Sequence, residues 1–437
     1  MIKSEFPLRS RSSRRQLFGA IGIVCVVMSF AFAVYAASGW TTPVSLAAPI
    51  PPSFVIQSPV VAINASGAQA AAWVNEANYL LLEVAAQDAG GTWTSAQTLT
   101  PQTGFNAADP SVAASPVGKA VAIWDVWQTN SSQGSVVQAS SRPAHGAWSA
   151  ATSLTTSDSS SSLPKVGMDA NGNGIAIWVQ ASSTTSAIET ANLPVSGSWT
   201  TPAPISTPGL SAANPTLEVN SLGDAIAGWQ TSASSPQILV AERRSGVWMA
   251  PVTIAAAAFR QGSPHVALND RGDAAIAWTG RGTALVATRP AGGTWSAPTT
   301  ISSQSLGASA RVALDGGGDA VMIFQLVQYT GTGYAYPVEA AARPAGGSWS
   351  APVRVSAATD YGSSPNLVAT PAGSFVAAWT DDNTRTVRAA IRSSGQSNFG
   401  APAVLSSGSD VFLAAAAGHT AAIWIGSGVQ VSNANTP

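Results

Sequence analysis

Eight times along this chain a glycine is followed, six residues later, by a large aromatic residue. The pairs are Gly67/Trp73, Gly118/Trp124, Gly172/Trp178, Gly223/Trp229, Gly272/Trp278, Gly318/Phe324, Gly373/Trp379 and Gly418/Trp424. The copy at residues 264–298 shows why this spacing constrains the fold. Two short apolar runs, HVAL and AAIAW, flank Asn269-Asp270-Arg271-Gly272. Asn at the first and Gly at the fourth position is type I turn chemistry, so the flanks read as a β-hairpin. A third run, ALVATR, follows, and Trp295-Ser-Ala-Pro298 opens a fourth. Four short antiparallel strands in about 50 residues make one propeller blade.

The fourth-strand aromatic also occurs eight times, at Trp40, Trp93, Trp148, Trp199, Trp248, Trp295, Trp349 and Phe399. Proline opens six of the first strands (Pro59, Pro110, Pro164, Pro215, Pro264, Pro365), where a missing donor is tolerated before pairing begins. The two aromatic series are offset. The repeat region begins with a lone fourth strand, Trp40 to Leu46, and ends with only three strands. The N-terminal strand therefore completes the C-terminal blade and removes the open edges. The expectation is an all-β, eight-bladed β-propeller over residues 37–437, with seven blades as the alternative. Alternation in each second strand places Ala274, Ile276 and Trp278 on one face and Ala275 and Ala277 on the other, as core.

Residues 1–36 are a different text. Ser13-Arg14-Arg15-Gln16-Leu17-Phe18 resembles a twin-arginine export motif, an apolar run covers residues 17–34, and Val34-Tyr35-Ala36 suits cleavage. The segment reads as an export signal, or as an N-terminal anchor if it is not cleaved, and would be the only part of the chain to meet a membrane. The expected location is extracellular, periplasmic or cell-surface. Cys25 is the only cysteine, so beyond this segment disulfides and thiolate metal sites are excluded. Without it the chain keeps 15 basic and 20 acidic residues, two of them lysines. That is too little basic density for a nucleic-acid surface.

The Gly-to-Trp hairpins and the Gly-x-Trp-(Ser/Thr)-x-Pro turns, such as Gly347-Ser-Trp349-Ser-Ala-Pro352, resemble the secreted bacterial β-propeller repeats related to sialidase-type Asp-box proteins. The resemblance covers residues 40–437. It implies the propeller fold, and for function it implies a sialidase-like glycoside hydrolase or lyase as one candidate.

Most motifs dissolve into the repeat. Asp169-Ala-Asn171-Gly-Asn173-Gly174 looks like the opening of a calcium loop, but all eight copies place a turn there. Arg271-Gly272-Asp273 is hairpin grammar as well. His145, His265 and His419 fall in three separate blades, so no metal centre, cofactor or catalytic triad is expected. Arg142, Arg243, Arg289, Arg343 and Arg392 recur near third-strand ends and are expected to stack on the nearby rings.

Function belongs on the face where the copies differ. Its segments are 75–79, 125–133, 325–336 and 380–385, with crossings that hold Phe54, Phe105, Phe259, Arg260 and Tyr361. Trp127, Tyr329, Tyr334, Tyr336 and Tyr361 are candidates for stacking on sugar rings. Arg260, Arg281 and Arg385 are candidates for gripping an anion. Should the protein be a hydrolase, Tyr361, Asp125, Asp381 or Asp382 would take part in the chemistry. The leading expectation is a binding module, monomeric and without catalytic activity, for a glycan or cell-envelope polymer. A protein-interaction scaffold is the other alternative.

Overall fold

The computed structural model describes residues 39–47, 56–76, 79–100, 103–158, 160–232, 235–256, 261–302, 310–331, 333–357 and 359–436. The export reading of residues 1–36 lies outside them. The chain divides into two units, one ending at Thr42 and the other running from Pro43 to Pro437. The propeller is the second unit. No helix among the described residues is long and apolar enough to cross a membrane.

Eight blades surround one axis in this β-propeller. Blade 5 shows the pattern: His265–Leu268, Ala274–Gly280, Thr283–Arg289 and Thr299–Ser302 pair antiparallel in that order from the axis outward. Blades 1 to 4 lie at residues 56–98, 105–153, 161–204 and 212–256. Blades 6 and 7 lie at 311–354 and 362–407, and blade 8 holds Ser409–Ala416, His419–Ile425 and Val429–Asn435. Each inner strand touches the next, and that of blade 8 touches that of blade 1, so the ring is closed. Among the described residues, blade 6 alone carries an inserted hairpin, Gln328–Tyr329 against Tyr334–Ala335.

Blade 8 takes its fourth strand from the other end of the chain. Val44 pairs with Val431 and Ser45 with Gln430, and the Leu46 N–H donates to the Val429 carbonyl at 2.8 Å. The strand foreseen from Trp40 to Leu46 is thus paired over its second half. The clasp satisfies backbone groups that would otherwise form an open edge.

The hairpin turns follow their sequence. The Gly272 N–H donates to the Asn269 carbonyl at 3.0 Å, with Gly272 at φ 88°, a value that favours glycine. The Asn269 side-chain oxygen accepts from the N–H groups of Arg271 and Asp273. Its amide donates to the Asp315 carbonyl of the next blade at 2.9 Å, so the turn residue also ties blades together. Asp169 repeats the arrangement: its oxygens accept from Asn171 and Asn173. That is turn chemistry in the place of the calcium-loop resemblance. Arg271 and Asp273 are likewise engaged, with the Gly317 carbonyl and the Ala291 N–H.

The core lies between blades. Ile276 and Trp278 pack with Ile226 and Val240 of blade 4, while Ala275 and Ala277 pack with Val312 and Met322 of blade 6. The eight hairpin aromatics are all fully buried. Each buries roughly 150–250 Å² and dominates its gap. The third-strand arginines divide their roles. Arg289 lies over Trp295 at 5.8 Å, as foreseen, whereas Arg392 lies over Phe375 at 5.2 Å. Arg142 forms a two-pronged pair with Asp88 of blade 1 at 2.9 and 3.2 Å.

The prolines correct one expectation from the sequence. Pro59, Pro110, Pro164, Pro215 and Pro365 do not open their strands. They lie inside them, where the register slips between Gln57 and Val60, Ala108 and Ser111, Ser162 and Lys165, Ala213 and Thr216, and Ser363 and Asn366. A bulge leaves a residue outside the ladder, so proline's missing donor costs nothing there.

Candidate functional site

These bulges shape the axis. The residue before each of those five prolines has a left-handed backbone: Ser58, Asp109, Leu163, Asn214 and Ser364 at φ 47–54°. Asp410 in blade 8 does the same without a proline, at φ 53°. Non-glycine residues adopt this conformation at a cost of about 1–3 kcal/mol each. Six copies around one axis make it part of the design of the inner strands.

Two cavities succeed one another along these strands. The first, about 500 Å³, lies at the mouth and is lined by residues 56–60 of blade 1, 109–110 of blade 2, Lys165, Arg311, 364–366 and 410–412. The second, about 470 Å³, is lined by the residues that come next: 61–63, 112–114, 166–168, 217–221, 265–270, 312–314, 367–369 and 413–415. Together they form an axial channel. The mouth is on the face where inner strands begin and second strands end, which is the face of variable loops.

The charged residues converge there. Asp109 and Asp125 lie close together on the two paired strands of blade 2, where Ala108 faces Asp125. Burial, followed by the charge of Asp109, pushes Asp125 up to about 7. Burial pulls the Lys165 ammonium below its ordinary value; Arg311 reinforces that, while Asp109 and Asp125 oppose it. Burial also lowers the Arg311 guanidinium, which nevertheless stays charged at physiological pH. Burial and the Arg311 charge together hold His265 down at about 3, so its imidazole is neutral. Deeper in the channel Glu218 faces small neighbours at the same level, Ala113, Gly167, Ala267 and Ala313. It remains in reach of solvent, and its enclosure pushes it up to about 7.

Several of these groups keep one polar atom unpaired. Asp125 Oδ1, Arg311 Nε and His265 Nδ1 are buried and accept or donate no hydrogen bond. Buried polar atoms are nearly always paired; of these three groups Arg311 lines the mouth and His265 the deeper cavity.

The foreseen residues fall in several places. Trp127 follows Asp125 by two positions on the same strand and is half-buried on the same strand face. Tyr329 and Tyr334 pair edge-to-face at 5.5 Å on the inserted hairpin and are 66% and 61% exposed. Tyr336 and Tyr361 stack tilted at 4.0 Å across blades 6 and 7. The adjoining Tyr336 hydroxyl, then burial and the nearby Asp382, push the Tyr361 hydroxyl up to about 12. Arg281 is the first residue of a two-residue hairpin turn between Gly280 and Thr283, and Arg385 ends an exposed loop. Neither lines the mouth cavity. Arg260 lies outside the described residues.

Asp381 holds the loop before blade 7. It accepts from the Tyr361 N–H at 3.0 Å, the Thr384 hydroxyl at 2.6 Å and Arg388 at 3.0 Å. Burial raises its carboxyl, but these bonds outweigh it and the group stands below its ordinary value. Asp382 accepts from the Ser363 hydroxyl at 2.9 Å.

Sequence reasoning passed over Asp109, Lys165, Glu218, Arg311 and Asp410. The repeat register held the signal for Lys165, Arg311 and Glu218. The position after the bulge reads Val60, Ser111, Lys165, Thr216, His265, Arg311, Asn366 and Phe412 in blades 1 to 8, and Glu218 stands two residues further on in blade 4. Charged residues at positions that are elsewhere small or neutral mark the channel.

No family model matches the chain, and no curated protein matches it. A solved sialidase, Hadza microbial sialidase Hz136, is similar at 11% identity and TM-score 0.46, over 82% of this chain and 74% of that one. An α-L-arabinofuranosidase of Fusarium graminearum is similar at 11% identity and TM-score 0.46, over 91% and 98%. A protein of unknown function from Dyadobacter fermentans is similar at 12% identity and TM-score 0.46, over 70% and 98%. At this level the likenesses assign neither ligand nor activity to this chain. In fold the chain is an eight-bladed β-propeller with a charged axial mouth.

The Asp109–Asp125 pair makes stability depend on pH. Asp125 holds its proton more tightly folded, at about 7, than at its ordinary 3.8. Its favourable contribution is complete below about pH 4 and lost as pH rises through about 7. Against Asp125→Asn, which has no such proton to lose, the wild type is expected to weaken by on the order of 3 kcal/mol from about pH 4 to pH 8. Urea unfolding of both proteins at the two pH values measures this; a constant difference would assign Asp125 an ordinary acidity.

Proposed function

We propose that this protein is a carbohydrate-binding propeller that seats the end of a glycan in the mouth of its axial channel. The observation that carries the reading is the mouth cavity of about 500 Å³, which brings Asp109, Lys165, Arg311, Asn366 and Asp410 around one space. A sugar ring offers hydroxyls that donate and accept in several directions, and this wall supplies both kinds of partner. The volume suits one or two rings. The tyrosine pairs of blades 6 and 7 stand on the same face, where apolar sugar faces stack. Export through residues 1–36 belongs to the same proposal and places the site where envelope glycans are found.

A glycan array with the purified protein tests the reading, and saturable binding to at least one oligosaccharide is expected. Tyr329→Ala/Tyr334→Ala is expected to weaken that binding about 3- to 10-fold, since a stacking contact is worth roughly 0.5–1.5 kcal/mol. Binding unchanged in this variant would remove the inserted hairpin from the site.

One observation favours hydrolysis as a second reading: Asp125 at about 7 is a suitable proton donor near neutral pH. Against it, glycosidases place two carboxyls roughly 5–9.5 Å apart around the scissile bond, and Asp125 does not line the mouth cavity. Turnover of fluorogenic glycosides that is abolished in Asp125→Asn would establish hydrolysis.

A further inference from the structure

A further cavity belongs neither to the channel nor to the glycan site. It lies in the gap between blades 6 and 7, measures about 310 Å³, and is lined by Val321, Ala340, Ala342 and Val353 of blade 6 and by Phe399 and Arg392 of blade 7.

The repeat explains what this gap is shaped to hold. In six other gaps the fourth-strand tryptophan packs into the core shared with the preceding blade: Trp93, Trp148, Trp199, Trp248, Trp295 and Trp349. The blade 6–7 core has Phe399 in that role. A benzene ring stands where the architecture elsewhere seats an indole.

The strand bearing Phe399 has also lost a tether. In five blades the residue after the tryptophan carries a hydroxyl that accepts a third-strand N–H: Thr94, Ser149, Thr200, Ser296 and Ser350, at 3.0–3.1 Å. Blade 7 has Gly400 there. The ring is smaller and one side-chain bond is missing, while the Gly400 N–H keeps its bond to the Ile391 carbonyl at 2.9 Å; both changes fall at the same gap.

The lining adds chemistry to the shape. Arg392 donates through Nε to the Gln396 carbonyl at 2.6 Å and stacks on Phe375, but its Nη1 is buried without a hydrogen-bond partner. The slot therefore has aliphatic walls and an unused cationic donor.

We propose that the slot between blades 6 and 7 binds a planar aromatic ring bearing a carboxylate, with the ring in the tryptophan seat and the carboxylate on Arg392. Apolar cavities of this kind bind small aromatic molecules, and a charge-assisted bond to guanidinium fixes the orientation. Indole-3-acetate is the probe and indole its uncharged control, both followed by calorimetry and by saturation-transfer NMR on the full chain. The expected result is saturable binding of indole-3-acetate with a Kd on the order of 1 mM or tighter, and weaker binding of indole.

Phe399→Trp fills the seat. It is expected to lower the affinity for both probes about 10-fold or more while raising the thermal midpoint, since a cavity lined by apolar groups is filled. Ala342→Leu obstructs the same slot from the opposite wall and gives the same loss if Phe399→Trp folds poorly. Arg392→Met keeps indole binding and abolishes the preference for the carboxylate. Absence of saturable binding to the wild type, or affinity unchanged in Phe399→Trp and Ala342→Leu, overturns the proposal.

Discussion

Joining the clasp covalently is expected to stabilise the protein by about 3–5 kcal/mol. Ser45 and Gln430 face each other across the closure, next to the Leu46–Val429 hydrogen bond. They form a non-hydrogen-bonded pair, the antiparallel position whose side chains approach most closely, so Ser45→Cys/Gln430→Cys in a Cys25→Ser background suits a disulfide. The crosslink closes nearly the whole described chain into one loop, and the entropy removed from the unfolded chain grows with loop length. The clasp is also the one place where the ring is closed by two paired residues from the opposite end of the chain. Local opening there exposes the edge Val429–Asn435 before the core is disturbed. Chemical unfolding of the oxidised and reduced forms checks this. Equal stability of the two forms would mean that the clasp is not the weak point of the ring.

Lys165→Met/Arg311→Met is expected to lower glycan affinity about 100-fold or more while leaving stability unchanged or increased. A hydrogen bond from a charged donor contributes roughly 1.5–3 kcal/mol, and two are removed. Both side chains are held in a setting that disfavours their charge. Replacing desolvated charges by apolar chains of similar volume is often neutral or stabilising. A residue that mainly supports the fold would show the opposite pattern, with stability lost first and binding lost as a consequence. Titration calorimetry and thermal unfolding on the same samples separate the two cases.

The architecture was legible because it is written eight times. The Gly272-to-Trp278 interval and the offset between the two aromatic series predicted the blade, the number of blades and the clasp, and the structure has all three. The bulges were not legible. Proline at a fixed place in each inner strand reads equally well as a strand start, and only the register slips around Pro59 and its counterparts show the kink. The site was partly legible. Reasoning from variable loops singled out Trp127, the four tyrosines and Asp125, because insertions and aromatics stand out locally, and none of them lines the mouth cavity. It passed over Lys165, Arg311 and Glu218 because each lies inside an apparently regular inner strand. Their meaning comes from closure: residues about 50 apart in sequence meet only when eight strands surround one axis. Arg281 and Arg385 stood out as exposed cations, yet their backbones place them on turns outside the mouth cavity.

The central claim is that the ligand sits on the axis, at the channel mouth. Crystals of the protein soaked with the best-binding oligosaccharide from the array test it most directly. The account predicts sugar density in the cavity bounded by Asp109, Lys165, Arg311 and Asp410, with its reducing or non-reducing end toward the tyrosines of blades 6 and 7. Sugar bound only in gaps between blades, with the mouth unoccupied at full ligand saturation, would contradict it.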